Sequence, residues 1–145
     1  MAAEMIKLLT YKSWANLQRG PFTFDVCAVE GQSCSSCICN AESNCRPIGC
    51  RPDRGSLSCG YYQIKQNYYT DCGQPGKRPG ESTEADDFGC ATGCVNSYFS
   101  LYRGNCPSGM GSCECMARNH NGGPQGAQHP STEDYWRRIQ AQGCS

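Results

Sequence analysis

A helix-rich α+β domain, stapled by disulfides and carrying one small antiparallel hairpin or sheet, is what this sequence predicts, on three observations. Fourteen of the 145 residues are cysteine, spread from Cys27 to Cys144. Leu, Ile, Val and Phe together supply only 17 residues, about 12% against the roughly 20% below which a highly charged chain is disordered. Here the net charge is zero, so covalent staples take the place of the missing core. Finally, apolar residues recur at helical spacing in several segments, while only one short region, Gly55 to Lys65, favours strand.

Taken in order, residues 1–33 lack a clear period and hold one cysteine, Cys27. They read as an N-terminal extension or an atypical leader, with a helix expected around Ala3 to Leu17. The longest apolar run there is four residues, Val26 to Val29, whereas a secretory leader needs about 7 to 15. Residues 34–145 form the domain. Cys34, Cys37, Ile38 and Ala41 fall on one face of a short helix that carries Glu42 near its C-terminal end. GSLSCGYYQIK then divides at Cys59-Gly60 into two segments, a hairpin with Asp53 at its entrance. GQPGKRPGEST, after Cys72, is all turn signal. A second helix is expected from about Ala85 to Arg103, with Phe88, Ala91, Val95, Tyr98 and Tyr102 at helical spacing and Gly104 as its stop. CECMARNHNGGP reads as a short helix ended by Gly122 and Gly123. Ser131 to Asp134 resembles a capping box opening a last helix through Tyr135, Trp136 and Ile139.

Compartment and partners follow from composition. Cysteine at this density persists in an oxidising environment, so a secreted, extracellular protein is expected. No segment approaches the roughly 20 apolar residues of a membrane span. The absence of a basic excess or a basic amphipathic helix argues against membrane surfaces; nucleic acid is not expected either, and the chain is expected to be a monomer or weak dimer. The thiols at Cys34, Cys37 and Cys39 have a spacing zinc accepts, but the other cysteines are spread evenly and a disulfide framework is the better reading. No metal and no cofactor are expected.

The densest chemistry lies between Cys34 and Gly73, where Glu42 and Asp53 stand eleven residues apart. Two carboxylates in different environments are what glycosidic bond cleavage requires: one neutral to protonate the leaving oxygen, one ionised to attack or stabilise the oxocarbenium-like centre. Spacing alone is weak support, since most acid pairs are solvated surface groups.

The surrounding residues are more specific. CxxCICxxESxC (Cys34 to Cys45), PIGCRxD (Pro47 to Asp53), GSLSCGYYQIK, DCGQPG (Asp71 to Gly76), MARNHNGGPQG (Met116 to Gly126) and the closing Tyr135-Trp136 occur together in order. In these motifs the chain resembles the invertebrate-type lysozymes, the group that includes destabilase, over about residues 34 to 145. The resemblance implies a lysozyme-like domain that cleaves the β-1,4 bond between N-acetylmuramic acid and N-acetylglucosamine of peptidoglycan. It puts Glu42 at the proton donor, which would need an apolar flank, and Asp53 at the second carboxylate. It implies a saccharide-binding segment at Lys65, Gln66, Asn67, Tyr68, Tyr69, Thr70 and Asp71, with Tyr68 and Tyr69 offering ring faces to sugars, and places His120, Asn121 and Gly122 in the same cleft. Peptidoglycan and chitooligosaccharides are the expected ligands. Some relatives also cleave isopeptide bonds, for which Ser56 and Lys65, with His120 nearby, would be the residues; a sugar-binding protein without turnover is a third reading.

The resemblance further suggests disulfides Cys34 with Cys113, Cys37 with Cys144, Cys39 with Cys45, Cys50 with Cys59, and Cys72 with Cys94. Relatives carry cysteine where this chain has Glu84 and Ala127, while Cys27 and Cys115 look like additions. Cys27, Cys90, Cys106 and Cys115 therefore allow three pairings, one idea being that Cys27 ties the extension to the domain. Pro52 and Arg54 replace the Met and Val common beside the second carboxylate. Pro52 forbids a backbone donor, and Arg54, pointing inward, would lower the pKa of Asp53.

Overall fold

The computed structural model describes residues 33–76 and 87–145; the helix expected around Ala3 to Leu17, Cys27 and Glu84 lie outside them. Five α-helices and a three-stranded antiparallel sheet follow one another as α1 (Ser33–Ser43), β1 (Cys50–Asp53), β2 (Ser56–Cys59), β3 (Ile64–Lys65), α2 (Gln66–Asp71), α3 (Phe88–Tyr102), α4 (Ser112–Gly122) and α5 (Glu133–Gln140). Short 3-10 turns at Arg103–Asn105, Gly126–Gln128 and Pro130–Thr132 join the later helices.

Helix α1 delivers the first acid. Its inward face buries Cys34, Cys37 and Ile38, as anticipated from the sequence, and Cys39 as well, while the expected Ala41 is only partly buried. Asn44 and Cys45 then adopt positive φ, their N–H groups donating back to the carbonyls of Asn40 and Cys39. The Cys39–Cys45 disulfide closes the same turn. Ser43 Oγ donates to the Tyr61 carbonyl at 2.6 Å, tying the last helical turn, and Glu42 on it, to the sheet.

The sheet differs from the expected hairpin. β1 and β2 pair with Asp53 opposite Ser56, across a two-residue turn in which Arg54 and Gly55 both have positive φ, the requirement of a type I′ turn. Asp53 is thus the last residue of the first strand. In this register the Pro52–Leu57 pair is a non-hydrogen-bonded one, so the proline's missing donor costs no ladder bond on the edge strand. Gly60 to Gln63 forms a turn rather than strand, with positive φ at Gly60 and Gln63. Tyr62 is drawn into the core and its hydroxyl meets Thr92 Oγ1 at 2.9 Å. Tertiary burial overrides the strand preference of the two tyrosines.

The segment after β3, Gln66–Asp71, is helical. Helix α3 starts at Phe88, capped by the Asp87 carboxylate, which accepts from the Cys90 N–H. Helix α4 runs to Gly122 as expected. The capping box at Ser131 to Asp134 is not formed: α5 begins at Glu133 with no side-chain cap. Thr132, just before it, is spent elsewhere, its hydroxyl donating to the Gly126 and His129 carbonyls and accepting from Arg118 Nε.

The five disulfides implied by the resemblance are present: Cys34–Cys113, Cys37–Cys144, Cys39–Cys45, Cys50–Cys59 and Cys72–Cys94. A sixth, Cys106–Cys115, selects one of the three open pairings for these two residues. Cys90 is also disulfide-bonded. Cys34, Cys37 and Cys39 are therefore sulfur-bonded and provide no thiolates for zinc. The core combines these half-cystines with Ile38, Tyr62, Tyr68, Val95, Tyr98, Tyr135 and Ile139.

Candidate active site

A cleft of about 490 Å³ runs between α1, the sheet, α4 and α5 and contains both Glu42 and Asp53 in its lining. Two structural facts bring the acids to one cavity. Helix α1 ends at Ser43 with its last turn tied to the sheet, and the strand register sets what surrounds Asp53. Alternation along β1 and β2 puts Asp53, Ser56 and Ser58 on one face, and Ser58 pairs with Lys65 across β2 and β3. Side chains at those positions converge.

Around Asp53 the convergence is polar. Lys65 Nζ lies 3.2 Å from Asp53 Oδ2, and Ser58 Oγ donates to the same oxygen at 3.1 Å. Lys65 also donates to the Asp53 carbonyl at 2.7 Å and to Ser56 Oγ at 2.6 Å. The Lys65 hydrogen bond, with help from Ser58 and from the charges of Lys65 and Arg54, outweighs partial desolvation and holds the Asp53 carboxyl below the usual carboxylate range. Arg54 does lower the pKa, as its sequence position suggested, but it is the smallest contributor.

Glu42 has a different setting. Its side chain is 20% exposed against 47% for Asp53, and it is flanked by the rings of Tyr135 and His120. Tyr135 Oη donates to Glu42 Oε1 at 2.7 Å, and His120 Nε2 stands 3.5 Å from that oxygen. His120 Nε2 also reaches the Tyr62 carbonyl at 3.0 Å; a carbonyl only accepts, so this nitrogen carries a proton. In the neutral ring Nδ1 is then the acceptor, and Tyr68 Oη donates to it at 3.0 Å. Burial, reinforced by the nearby Glu42 charge, pushes the Tyr68 and Tyr135 hydroxyls well above the ordinary tyrosine range. Both are thereby held as neutral donors through the neutral pH range.

Among the described residues each carboxylate is held through one oxygen, Oε1 of Glu42 and Oδ2 of Asp53. The second oxygen of each has no hydrogen bond or ion pair among the described residues. That arrangement orients both groups while keeping one oxygen of each for a substrate.

The other expected binding residues divide. Lys65, Asn67, Tyr68, Asp71, His120 and Asn121 line the acid-bearing cleft. Gln66 and Tyr69 face a separate groove behind the sheet with Leu57 and Ile64. Thr70 returns its hydroxyl to the Gln66 carbonyl. Gly122 serves packing: a Cβ there would come within 2.5 Å of Thr132 Cγ2. The expectation that Tyr68 and Tyr69 offer ring faces to sugars is not met. Both are buried, Tyr68 stacks on Tyr98 at 3.6 Å, and Tyr69 Oη donates to the Pro75 carbonyl. Helix α2 turns them inward, where a loop would have left them exposed. Tyr102 lies at the rim of the core, donating to Asp71 Oδ2 at 3.0 Å.

Sequence reasoning passed over Ser58 and Tyr135 as site residues. Reading Arg54-Gly55 as a two-residue turn would have revealed Ser58 through strand alternation; no local signal connects Tyr135 with a glutamate 93 positions earlier.

Comparison with known proteins identifies the family. The family model described as Destabilase matches residues 31–142. Invertebrate-type lysozyme 6 of Caenorhabditis elegans is 56% identical over 119 residues, covering 77% of this chain and 86% of that protein. A lysozyme of Magallana gigas is 49% identical over 126 residues, covering 86% and 88%. The crystal structure of inhibitor-bound lysozyme from Meretrix lusoria superposes with a TM-score of 0.69 at 46% identity, covering 79% of this chain and 91% of that one. On its sequence, its fold and its relatives, the chain belongs to the destabilase family of invertebrate-type lysozymes.

Proposed function

We propose that this lysozyme is a secreted muramidase in which Glu42 is the general acid and Asp53 the ionised partner at the β-1,4 bond between N-acetylmuramic acid and N-acetylglucosamine. The observation that carries the reading is the contrast between two carboxylates in one cleft. Tyr135 Oη donates to Glu42 Oε1, so the proton of the neutral acid sits on Oε2, the oxygen without a hydrogen-bond partner among the described residues. From there it passes to the glycosidic oxygen as the bond to the leaving sugar breaks. Asp53, kept ionised by Lys65 and Ser58, faces the positive charge that develops at the anomeric centre, with Oδ1 free to approach it.

Secretion is supported by the disulfide content, since such bonds persist in oxidising compartments; among the described residues no helix is long and apolar enough to cross a membrane. Peptidoglycan is the proposed substrate, with chitooligosaccharides as smaller ligands of the same cleft.

A second activity, isopeptide cleavage by Ser56 and Lys65, has one contact in its favour, the 2.6 Å approach of Lys65 Nζ to Ser56 Oγ. Three acceptors, Ser56 Oγ, Asp53 O and Asp53 Oδ2, surround the ammonium. Lys65 is therefore a proton donor in this arrangement, whereas a general base must accept. His120 is spent on Glu42, Tyr62 and Tyr68.

Clearing of a Gram-positive cell-wall suspension by wild type, Glu42→Gln and Ser56→Ala tests these readings together. Clearing by wild type and its loss in Glu42→Gln are expected; clearing that survives Glu42→Gln refutes the glycosidase assignment. Loss of isopeptide release in Ser56→Ala with clearing retained establishes the second activity. Wild-type protein that binds chitooligosaccharide and clears nothing is a binding module.

A further inference from the structure

Three acids, Glu42, Asp53 and Asp71, and three cations, Arg51, Lys65 and Arg138, line the cleft, yet they are not all paired with one another. Of the cations in its lining, Lys65 is committed to Asp53. Among the described residues neither Arg51 nor Arg138 has a carboxylate within ion-pairing distance, although Arg137, beside Arg138 on the outer part of α5, has both Glu133 and Asp134. Both unpaired guanidinium groups come from elements that also carry the catalytic arrangement. Arg51 is two residues before Asp53 on β1, on the same face of the strand. Arg138 is one helical turn after Tyr135, the residue that holds Glu42.

Arg138 is also placed for recognition. Its Cζ lies 5.2 Å from the centroid of the Tyr135 ring, and that ring is buried. A guanidinium on an aromatic face is held through its π surface, which leaves its N–H edge available for a planar acceptor. The acceptor that fits such an edge bidentately is a carboxylate. Chitin has no carboxylate. Peptidoglycan has one on every second sugar, the lactyl group of N-acetylmuramic acid, either free or extended into a stem peptide with carboxylates of its own.

We propose that Arg138, assisted by Arg51 on the sheet wall, binds the carboxylates of the peptidoglycan strand and so makes the cleft selective for it over uncharged chitin chains. The proposal rests on the glycosidase reading and adds a specificity element to it. The two cations act on binding, not on the reacting bond.

The test compares wild type, Arg138→Gln, Arg138→Lys and Arg51→Gln on three probes: intact peptidoglycan, glycan strands stripped of stem peptides by an amidase, and chitotetraose. Turnover is measured on the first two and the dissociation constant by calorimetry on the third. Arg138 is exposed, so the fold tolerates its replacement. The ratio of kcat/KM on peptidoglycan to affinity for chitotetraose is expected to fall about tenfold in Arg138→Gln, a change of about 1.4 kcal/mol, through KM rather than kcat. Arg138→Lys recovers part of it, Arg51→Gln loses less, and added salt erodes the ratio in wild type more than in Arg138→Gln. A loss that persists on stripped strands assigns the lactyl carboxylate; a loss confined to intact peptidoglycan assigns the stem peptide. An unchanged ratio in Arg138→Gln overturns the proposal. Wild-type protein that binds chitotetraose but turns over neither glycan refutes the glycosidase reading instead.

Discussion

Glu42 and Asp53 are told apart by their neighbours. One is flanked by a tyrosine and a histidine; the other is half-exposed beside a lysine and a serine. Since the Lys65 hydrogen bond is the largest cause of the lowered Asp53 pKa, Lys65→Met is expected to raise it, and the acidic limb of kcat/KM should move to higher pH. A pH–rate profile of the variant checks this. The same interaction contributes fully to folding above the pKa of an unfolded aspartate and is lost progressively as pH falls through the lower folded value. At 47% exposure solvent screens it, and it contributes little to stability. Tyr135→Phe removes a hydroxyl and keeps the ring. It is expected to lower kcat about tenfold, equivalent to about 1.4 kcal/mol, with KM nearly constant, because Glu42 loses its orienting donor while the cleft wall is preserved. Steady-state kinetics on purified cell walls separates the two parameters.

At the scale of elements, the site depends on how α1, the hairpin and α5 are tied together. Cys37–Cys144 joins α1 to the chain end across 107 residues, and Gln142 Nε2 donates to the Cys37 carbonyl beside it. A cross-link over about 100 residues contributes up to about 4.7 kcal/mol in the chain-entropy account. Cys37→Ser/Cys144→Ser should therefore lower Tm markedly in a thermal melt, and should lower activity below Tm as α5 and Tyr135 loosen. The helical elements were largely legible in the sequence: α1 and α3 follow from apolar spacing, and the ends of α3 and α4 from their glycine stops. The sheet and α2 were not. Arg54-Gly55 lacks the Asn or Asp that usually marks such a turn, and Tyr61, Tyr62, Tyr68 and Tyr69 read as strand or as exposed sugar platforms because composition does not report which rings a tertiary contact will bury. Tyr62 is taken by Thr92 and Tyr68 by Tyr98 and His120.

For the molecule as a whole, half-cystines fill much of the place that aliphatic residues occupy in other domains of this size. Each native disulfide is worth about 2 to 4 kcal/mol, so the six pairs described together are comparable to or exceed the roughly 5 to 15 kcal/mol net stability of an ordinary domain. Reduction with dithiothreitol under otherwise native conditions is expected to unfold the protein cooperatively, with loss of near-ultraviolet circular dichroism and of activity together. The pairing that the resemblance left unassigned, Cys106–Cys115, stayed open in the sequence because connectivity depends on proximity in the fold and not on spacing. The two acids were legible through their flanking motifs, and so were Lys65 and His120, whereas the contacts of Ser58 and Tyr135 with them were visible only in three dimensions. The most direct measurement of the central claim is mass spectrometry of the fragments released from purified peptidoglycan by wild type and Glu42→Gln. Wild type should release fragments ending in reducing N-acetylmuramic acid, and the variant should release at least a thousandfold fewer, about 4 kcal/mol of lost transition-state stabilisation; fragments ending in N-acetylglucosamine, or equal release by the variant, would contradict it.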